Sequence, residues 1–174
     1  MREGLALQST RLELLPATIE LLAADLCDRA KFGCLLQAIV PASWPPPLVE
    51  RSELEWLIQK LGEDPEVLPW SARYFILKDP RILIGFGGFK SRPDTRGIAE
   101  VGYAMVTDHQ CKGFATEALK ALCEWAFTHP EVTRIIGETY PDLTASISVL
   151  EKSRFAYADA GSEPGVVQYE LLRH

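Results

Sequence analysis

The residues best suited to chemistry form a loop that leads into a helix. Residues 110–116, Gln-Cys-Lys-Gly-Phe-Ala-Thr, lie between a strand pattern and a strongly amphipathic helix pattern. The first turn of a helix leaves backbone N–H groups unpaired, and the helix dipole favours negative charge there. Gly113 lets the backbone approach a ligand closely, and Lys112 adds a positive charge. The pattern predicts a pyrophosphate site.

Two better-known phosphate loops are excluded by the spacing. The chain has no Gly-x-x-x-x-Gly-Lys-Ser/Thr segment and no Gly-x-Gly-x-x-Gly segment. By itself the loop leaves an alternative open, an ordinary strand–turn–helix connection in which Gly113 is a turn residue.

The segments on either side of the loop carry a family resemblance. Residues 99–103 read Ala-Glu-Val-Gly-Tyr before it, and residues 144–155 read Thr-Ala-Ser-Ile-Ser-Val-Leu-Glu-Lys-Ser-Arg-Phe after it. This order resembles the GNAT superfamily of acyl-CoA-dependent N-acyltransferases. Within it, the chain looks like the branch that includes the ribosomal-protein N-terminal acetyltransferases. The resemblance extends over residues 8–172, and the second half of the chain carries its specific motifs.

The elements that position these motifs follow from hydrophobic periodicity. We expect helices near residues 19–26, 52–61, 113–128 and after 141, the second begun by a capping box of Ser52 and Glu55 and the last by Asp142. Trp56, Trp70 and Trp125 are expected in or near the core. Strands are expected at residues 9–15, 74–78, 82–89, 98–106, 132–140, 155–157 and 166–171.

Strands in series with inserted helices predict an α/β domain with a mixed sheet and helices on both faces. The length of 174 residues predicts one domain over 1–174. The resemblance implies a GNAT-like, mostly antiparallel central sheet, splayed between its fourth and fifth strands at the cofactor cleft.

Glu100 is the proposed general base. In the strand over 98–106, Glu100, Gly102 and Ala104 share one face, so one carboxylate projects from a wall of small residues. In proteins that resemble this chain, a glutamate at this position often accepts the proton of the attacking amine. The alternative is a structural acid paired with an Arg or a Lys.

The resemblance also implies how acetyl-CoA is held. Backbone amides near Met105 and Val106 would bind the pantetheine and polarise the thioester. The pyrophosphate would be bound by the whole loop, that is Gln110, Cys111, Lys112, Gly113, Phe114, Ala115 and Thr116. Ser146 matches a family serine, which contacts the pantetheine arm or donates a proton to the leaving thiolate; the alternative is a helix-surface hydroxyl.

Other positions bear on the acceptor or depart from the family pattern. Trp44, followed by three prolines, is expected to form a rigid wall of the acceptor pocket or to pack over the sheet. Leu143 stands where the family usually has an Asn that contacts the cofactor, and Arg154 where it usually has Gly. His109 is expected to be a solvated turn residue.

Composition limits the class of protein. Apolar residues make up 47% and charged residues 24% of the chain, as in globular proteins, and the net charge of −6 argues against nucleic-acid binding. We expect no metal site, no membrane span and no secretory signal, and therefore a cytoplasmic protein. We also expect a monomer or a homodimer. The four cysteines show no Cys-x-x-Cys spacing, in keeping with a reducing compartment.

The sequence thus predicts an acetyl-CoA-dependent N-acetyltransferase that acts by direct attack of an amine, either a protein N-terminus or a small molecule. One rival is a non-catalytic acyl-CoA-binding module whose site Leu143 and Arg154 have degraded. A second is an unrelated α/β domain whose loop binds another phosphorylated ligand.

Overall fold

A computed structural model describes residues 5–173, in which eight strands and five α-helices follow one another in short groups. The strands are β1 (Leu7–Gln8), β2 (Leu12–Pro16), β3 (Ala72–Lys78), β4 (Arg81–Phe89), β5 (Ile98–Met105), β6 (Arg134–Thr139), β7 (Ala156–Ala160) and β8 (Val167–Leu172). The α-helices are α1 (Ile19–Cys27), α2 (Arg29–Leu36), α3 (Arg51–Glu63), α4 (Phe114–Ala126) and α5 (Thr144–Lys152). Short 3-10 turns cover Pro65–Trp70 and Thr107–His109.

The strands form one mixed sheet in the order β1-β2-β3-β4-β5-β6-β8-β7. Neighbouring strands are antiparallel except β5 and β6, which are parallel. That parallel ladder runs from the pair Ile98–Arg134 to the pair Val101–Gly137 and then stops, although both strands continue. The sheet therefore parts between β5 and β6. These are the fourth and fifth strands when the two-residue β1 is left out, which agrees with the expected splay.

Helices cover both faces of the sheet, as predicted. On one face, the Phe32 ring of α2 packs edge-on against Tyr74, 5.0 Å between centroids. On the other face, the Trp125 ring of α4 lies 6.0 Å from Phe89. The apolar stripe of α4 is buried as expected, with Ala118, Leu119, Leu122 and Ala126 fully inaccessible. Full burial of a Leu side chain stabilises the fold by about 1.5–3 kcal/mol, so this stripe fixes α4 and the loop before it.

Three local predictions are wrong. Helix α3 starts at Arg51 after Glu50, and the Ser52 hydroxyl donates to the Glu50 carboxylate, so Ser52 is not the cap. Asp142 does not cap α5, because Leu143 is the residue before its first turn. Trp56 is 51% exposed rather than in the core, since it lies on the outer side of α3.

Candidate active site

The loop before α4 has the geometry of an anion site. Cys111 and Gly113 both adopt left-handed backbone conformations, with φ of 58° and 81°. Gly113 is the residue before the first turn of α4, and no side chain caps that turn. The first-turn N–H groups of Phe114, Ala115 and Thr116 therefore have no capping acceptor, and the positive end of the helix dipole adds to them.

Two side chains of the loop hold its shape. The Gln110 amide donates to the Met105 carbonyl at 3.1 Å, and the Lys112 ammonium donates to the Asp108 carbonyl at 2.7 Å. Gln110 thereby ties the loop to the end of β5. Cys111 is exposed.

Arg11 is a cation at this loop that the sequence did not single out. Its backbone N–H and its Nε both donate to the Glu117 carboxylate of α4, at 2.6 and 2.7 Å. Its guanidinium lies 4.3 Å from the centroid of the Phe114 ring, and its Nη2 would lie 3.5 Å from a Cβ placed on Gly113. A guanidinium beside a glycine at a helix N-terminus suits a phosphate. The alternation that predicts a strand gives no sign of this contact across 106 residues.

The backbone of β5 faces the gap with alternate residues. The Val106 N–H donates to the Ile84 carbonyl of β4, and the Glu100 carbonyl accepts from the Lys90 N–H. Residues of the other parity, Tyr103 and Met105, therefore direct their backbone groups toward the gap. Of the two amides expected to hold the pantetheine, that of Met105 points toward the gap, whereas that of Val106 is engaged within the sheet.

Glu100 forms an ion pair with Lys90, the residue that follows β4. The Glu100 side chain is 26% exposed and the Lys90 side chain 61% exposed. An ion pair of this kind was the alternative to a catalytic role for Glu100, a structural acid paired with a Lys. Glu100 can act as a general base only when the Lys90 ammonium moves aside. Lys90 also acts on two further carboxylates. Its charge helps lower the pKa of Glu138, and it partly offsets the burial that raises the pKa of Glu53.

Glu138 stands across the gap on β6. Burial alone would raise its pKa, but hydrogen bonds from the Ser162 hydroxyl, the Ser162 N–H and Gln168, together with the charge of Lys90, lower it. The charge of Lys90 therefore acts on three carboxylates, those of Glu53, Glu100 and Glu138.

Ser146 lies beside the gap, in contact with β5. The Tyr103 hydroxyl donates to the Ser146 carbonyl at 3.2 Å and lies 3.4 Å from Ser146 Oγ. Burial raises the pKa of Tyr103 to about 12, so its hydroxyl stays protonated at neutral pH.

Trp44 is packed in the core and also lines a cavity. Its Nε1 donates to Asp25 Oδ1 at 2.8 Å, and the Tyr74 hydroxyl donates to Asp25 Oδ2 at 3.0 Å. Burial raises the pKa of Asp25 despite these bonds. The cavity, about 210 Å³, is lined by Trp44 and Asp25 together with Arg29 and Glu50.

The two departures from the family pattern lie at opposite ends of α5. Leu143, 39% exposed, precedes the first turn without a capping side chain. Arg154 follows the last turn with φ of 68°, the conformation in which glycine is favoured.

Residues 5–173 lack the features of a metal site and of a membrane-spanning helix. No cluster of three or more His, Cys, Asp or Glu side chains there could hold a metal ion. No helix of that range is long and apolar enough to cross a bilayer. His109 is partly buried rather than solvated; burial, followed by the charge of Lys112, lowers its pKa.

A mixed sheet that parts beside an uncapped helix N-terminus defines the class as GNAT-like. The sequence pattern of the acetyltransferase (GNAT) domain family matches residues 11–156, and the chain belongs to that family. Uncharacterized N-acetyltransferase YjdG of Bacillus subtilis is 35% identical over 80 residues, which are 46% of this chain and 48% of YjdG. The chain thus matches about half the length of its curated relatives.

Solved structures share the fold over nearly the whole chain. The ribosomal L7/L12 α-N-protein acetyltransferase RimL, in complex with coenzyme A, aligns with a TM-score of 0.65 and 20% identity, covering 96% of this chain and 97% of RimL. A Salmonella typhimurium acetyl transferase that modifies the N-terminal serine of ribosomal protein L7/L12 aligns with a TM-score of 0.64 and 19% identity, covering 95% and 97%. At these identities the likeness establishes the fold alone.

Proposed function

We propose that this protein transfers the acetyl group of acetyl-CoA to a primary amine. One observation carries the proposal: beyond Val101, β5 borders a gap in the sheet, with Glu100 just before the gap and the anion loop tied through Gln110 to Met105 at its far end. A thioester in this gap would have its phosphates at the loop and its carbonyl beside the amides of Tyr103 and Met105. An amine that enters on the face of the sheet that bears Glu100 would attack the carbonyl carbon from that face.

The reaction divides among these groups. Backbone N–H groups in the gap stabilise the oxyanion that forms as the amine attacks. Glu100 accepts the amine proton, directly or through water, once Lys90 has moved aside. The carbon–sulfur bond then breaks, and the thiolate takes a proton from the Ser146 hydroxyl, which lies 3.4 Å from the Tyr103 hydroxyl. Exchange with water returns a proton to Ser146 and removes the one held by Glu100. Residues 110–116 and Arg11 hold the phosphates. No enzyme–acetyl intermediate is required.

The acceptor is an amine on a small molecule or a protein N-terminus. The solved relatives that modify ribosomal-protein N-termini support the second class, and the net charge of −6 suits a cationic acceptor of either class. We place the reaction in the cytoplasm, with the protein as a monomer or homodimer.

A non-catalytic acyl-CoA-binding module is the second candidate function. The Glu100–Lys90 ion pair favours it, because it occupies the proposed base. Leu143 and Arg154 also depart from the family pattern, Leu143 at the position where the family's Asn contacts the cofactor.

The decisive experiment mixes the protein with acetyl-CoA and pooled amines, follows thiol release, and identifies acetylated products by mass spectrometry. An acetylated amine establishes the enzyme and names its acceptor class. Tight acetyl-CoA binding without any acetylated amine would instead establish the binding module.

A further inference from the structure

Glycine occurs at five strand positions of the described chain, and four of them are explained by packing. A Cβ on Gly85 would meet Met105 and Phe75, one on Gly87 would meet Tyr103, and one on Gly137 would meet Leu150, each at 2.7–2.9 Å. A Cβ on Gly88 would meet Ser71 and Ala72, the latter at 2.9 Å. At these positions the sheet has no room for a side chain.

Gly102 of β5 is different. A Cβ placed on Gly102 would have nothing within 4 Å, and its φ is outside the range that disfavours other residues. Glycine in a strand interior weakens the strand, because it has the most conformational freedom to lose and no side chain to pack. Neither packing nor backbone geometry accounts for glycine here.

The position of Gly102 gives the absent side chain a meaning. Gly102 is the first residue of β5 beyond the last pair with β6, so it borders the gap. Its missing Cβ points to the same face as Glu100 and Ala104, since alternate residues of a strand share a face. The open space therefore lies between the proposed base and the part of β5 whose amides would hold the thioester.

We infer that Gly102 is a specificity-determining residue: the space over it receives the substituent on the carbon next to the acceptor's amine. An amine that attacks a thioester in the gap while its proton goes to Glu100 has to carry that carbon across Gly102. The site then accepts amines that are branched at this carbon, as the α-amine of an amino acid is. This inference rests on the proposed function and deepens it, because it names α-branched primary amines as acceptors.

The test uses three amines that differ only at that carbon: glycinamide, alaninamide and valinamide. Parent protein, Gly102→Ala and Gly102→Val are compared by kcat/KM for thiol release with each amine. We expect the parent to use all three. Gly102→Val should lose valinamide by roughly tenfold or more relative to glycinamide, the discrimination that an added methylene gives in a pocket, with Gly102→Ala in between.

Two controls accompany the series. Gly62→Ala fills another glycine position with nothing within 4 Å, on α3, and should leave all three rates unchanged. Acetyl-CoA affinity and melting temperature of the Gly102 variants should equal or exceed those of the parent. Unchanged amine ratios in an active Gly102→Val would overturn the inference alone. A parent that binds acetyl-CoA but acetylates none of the three amines would overturn the inference. If it also acetylates none of the pooled amines, the proposed function is overturned as well.

Discussion

Glu100 and Lys90 form an ion pair that supports two opposite interpretations, and substitution separates them. If Glu100 is the base, Glu100→Gln keeps the shape of the side chain and lowers turnover roughly a hundredfold or more, while acetyl-CoA affinity stays near that of the parent. Lys90→Gln, the matched change of its partner, should leave turnover within a few-fold. If Glu100 serves only to bind Lys90, both variants will keep their turnover and lose similar amounts of stability. Steady-state kinetics and thermal melts of the pair decide.

Gly113 is the second residue whose substitution is informative. Gly113→Val places a branched side chain at the uncapped helix start, next to Arg11, and should remove most of the acetyl-CoA affinity measured by calorimetric titration. Gly165→Val is the matched control, because Gly165 has a similar φ of 84° and open space around it, in the loop between β7 and β8. Lys112→Ala should weaken binding less, since an exposed charge is screened. Equal affinity of Gly113→Val and Gly165→Val would place the phosphates elsewhere.

Among single residues, the sequence identified as candidate site residues only those that belong to local patterns. The loop over 110–116 is a run of neighbours, and Glu100 belongs to a short motif. Arg11, Lys90 and Tyr103 act through contacts with residues on other elements, and such contacts depend on strand register. Val106 illustrates the same limit, because the direction of its N–H depends on which residues of β4 bond to β5.

Helix α5 ends in a motif that normally uses glycine. The Phe155 N–H donates to the Leu150 carbonyl and the Arg154 N–H to the Glu151 carbonyl, at 3.0 and 2.9 Å, which is the Schellman pattern. Arg154 is the left-handed residue of the motif. Arg154→Gly should therefore raise the free energy of unfolding by up to about 1 kcal/mol, the relief of left-handed strain less the entropy that glycine loses on folding.

Arg154→Ala is the control for that change, because it removes the charge and keeps Cβ. It should not stabilise the protein. Denaturant unfolding of both variants measures the difference, and an equal gain from Ala and Gly would show that the arginine charge, not the backbone conformation, is responsible.

Glu117 fastens α4 to the start of β2 through Ser9 and Arg11. Burial alone would raise its pKa, but the hydrogen bonds from Arg11 and Ser9 and the Arg11 charge lower it below 4.5. A carboxyl whose pKa is lowered by folding stabilises the fold above its unfolded pKa and loses that effect as pH falls through its folded pKa. Glu117→Gln should thus cost about 1–3 kcal/mol at pH 7.

The pH dependence is the sharper part of this prediction. The stability difference between parent and Glu117→Gln should be full at pH 7 and shrink as pH falls below about 4.5. Glu124→Gln, an exposed change on the same helix, should show little difference at any pH. A Glu117 difference that stays constant down to pH 3 would mean that the carboxylate charge does not matter.

Element by element, periodicity located the described helices except α2 and the described strands except the two-residue β1, and the capping residues misplaced two helix starts. Ser52 and Asp142 have the residue types of caps, yet α3 and α5 begin one residue before and two residues after them. Capping types are common, and the actual start depends on where the chain leaves the neighbouring loop. Trp56 was misplaced because its size was weighed over its spacing. At 3.6 residues per turn it lies about 200° around the helix from Leu54, opposite the buried stripe of Leu54, Leu57 and Leu61.

For the whole molecule, a mixed sheet with helices on both faces follows from the order of elements. The parting of β5 from β6 does not, since no residue type marks the end of a ladder. It came from the family resemblance, and the register shows where it begins. The face that bears Glu100 also has Lys90 after β4, Glu138 of β6 and Glu53 of α3, so its composition depends on the complete topology.

The parting of the sheet also bears on solubility. Beyond Val101, the described part of β5 has an edge inside the sheet, with no β6 residue paired to Tyr103 or Met105. Unpaired strand edges recruit other extended chains and promote aggregation. Pantetheine is itself an extended chain with two amides, and it would cover this edge much as a short strand does. Bound CoA would then protect the protein from self-association, and the protein without CoA would aggregate more readily.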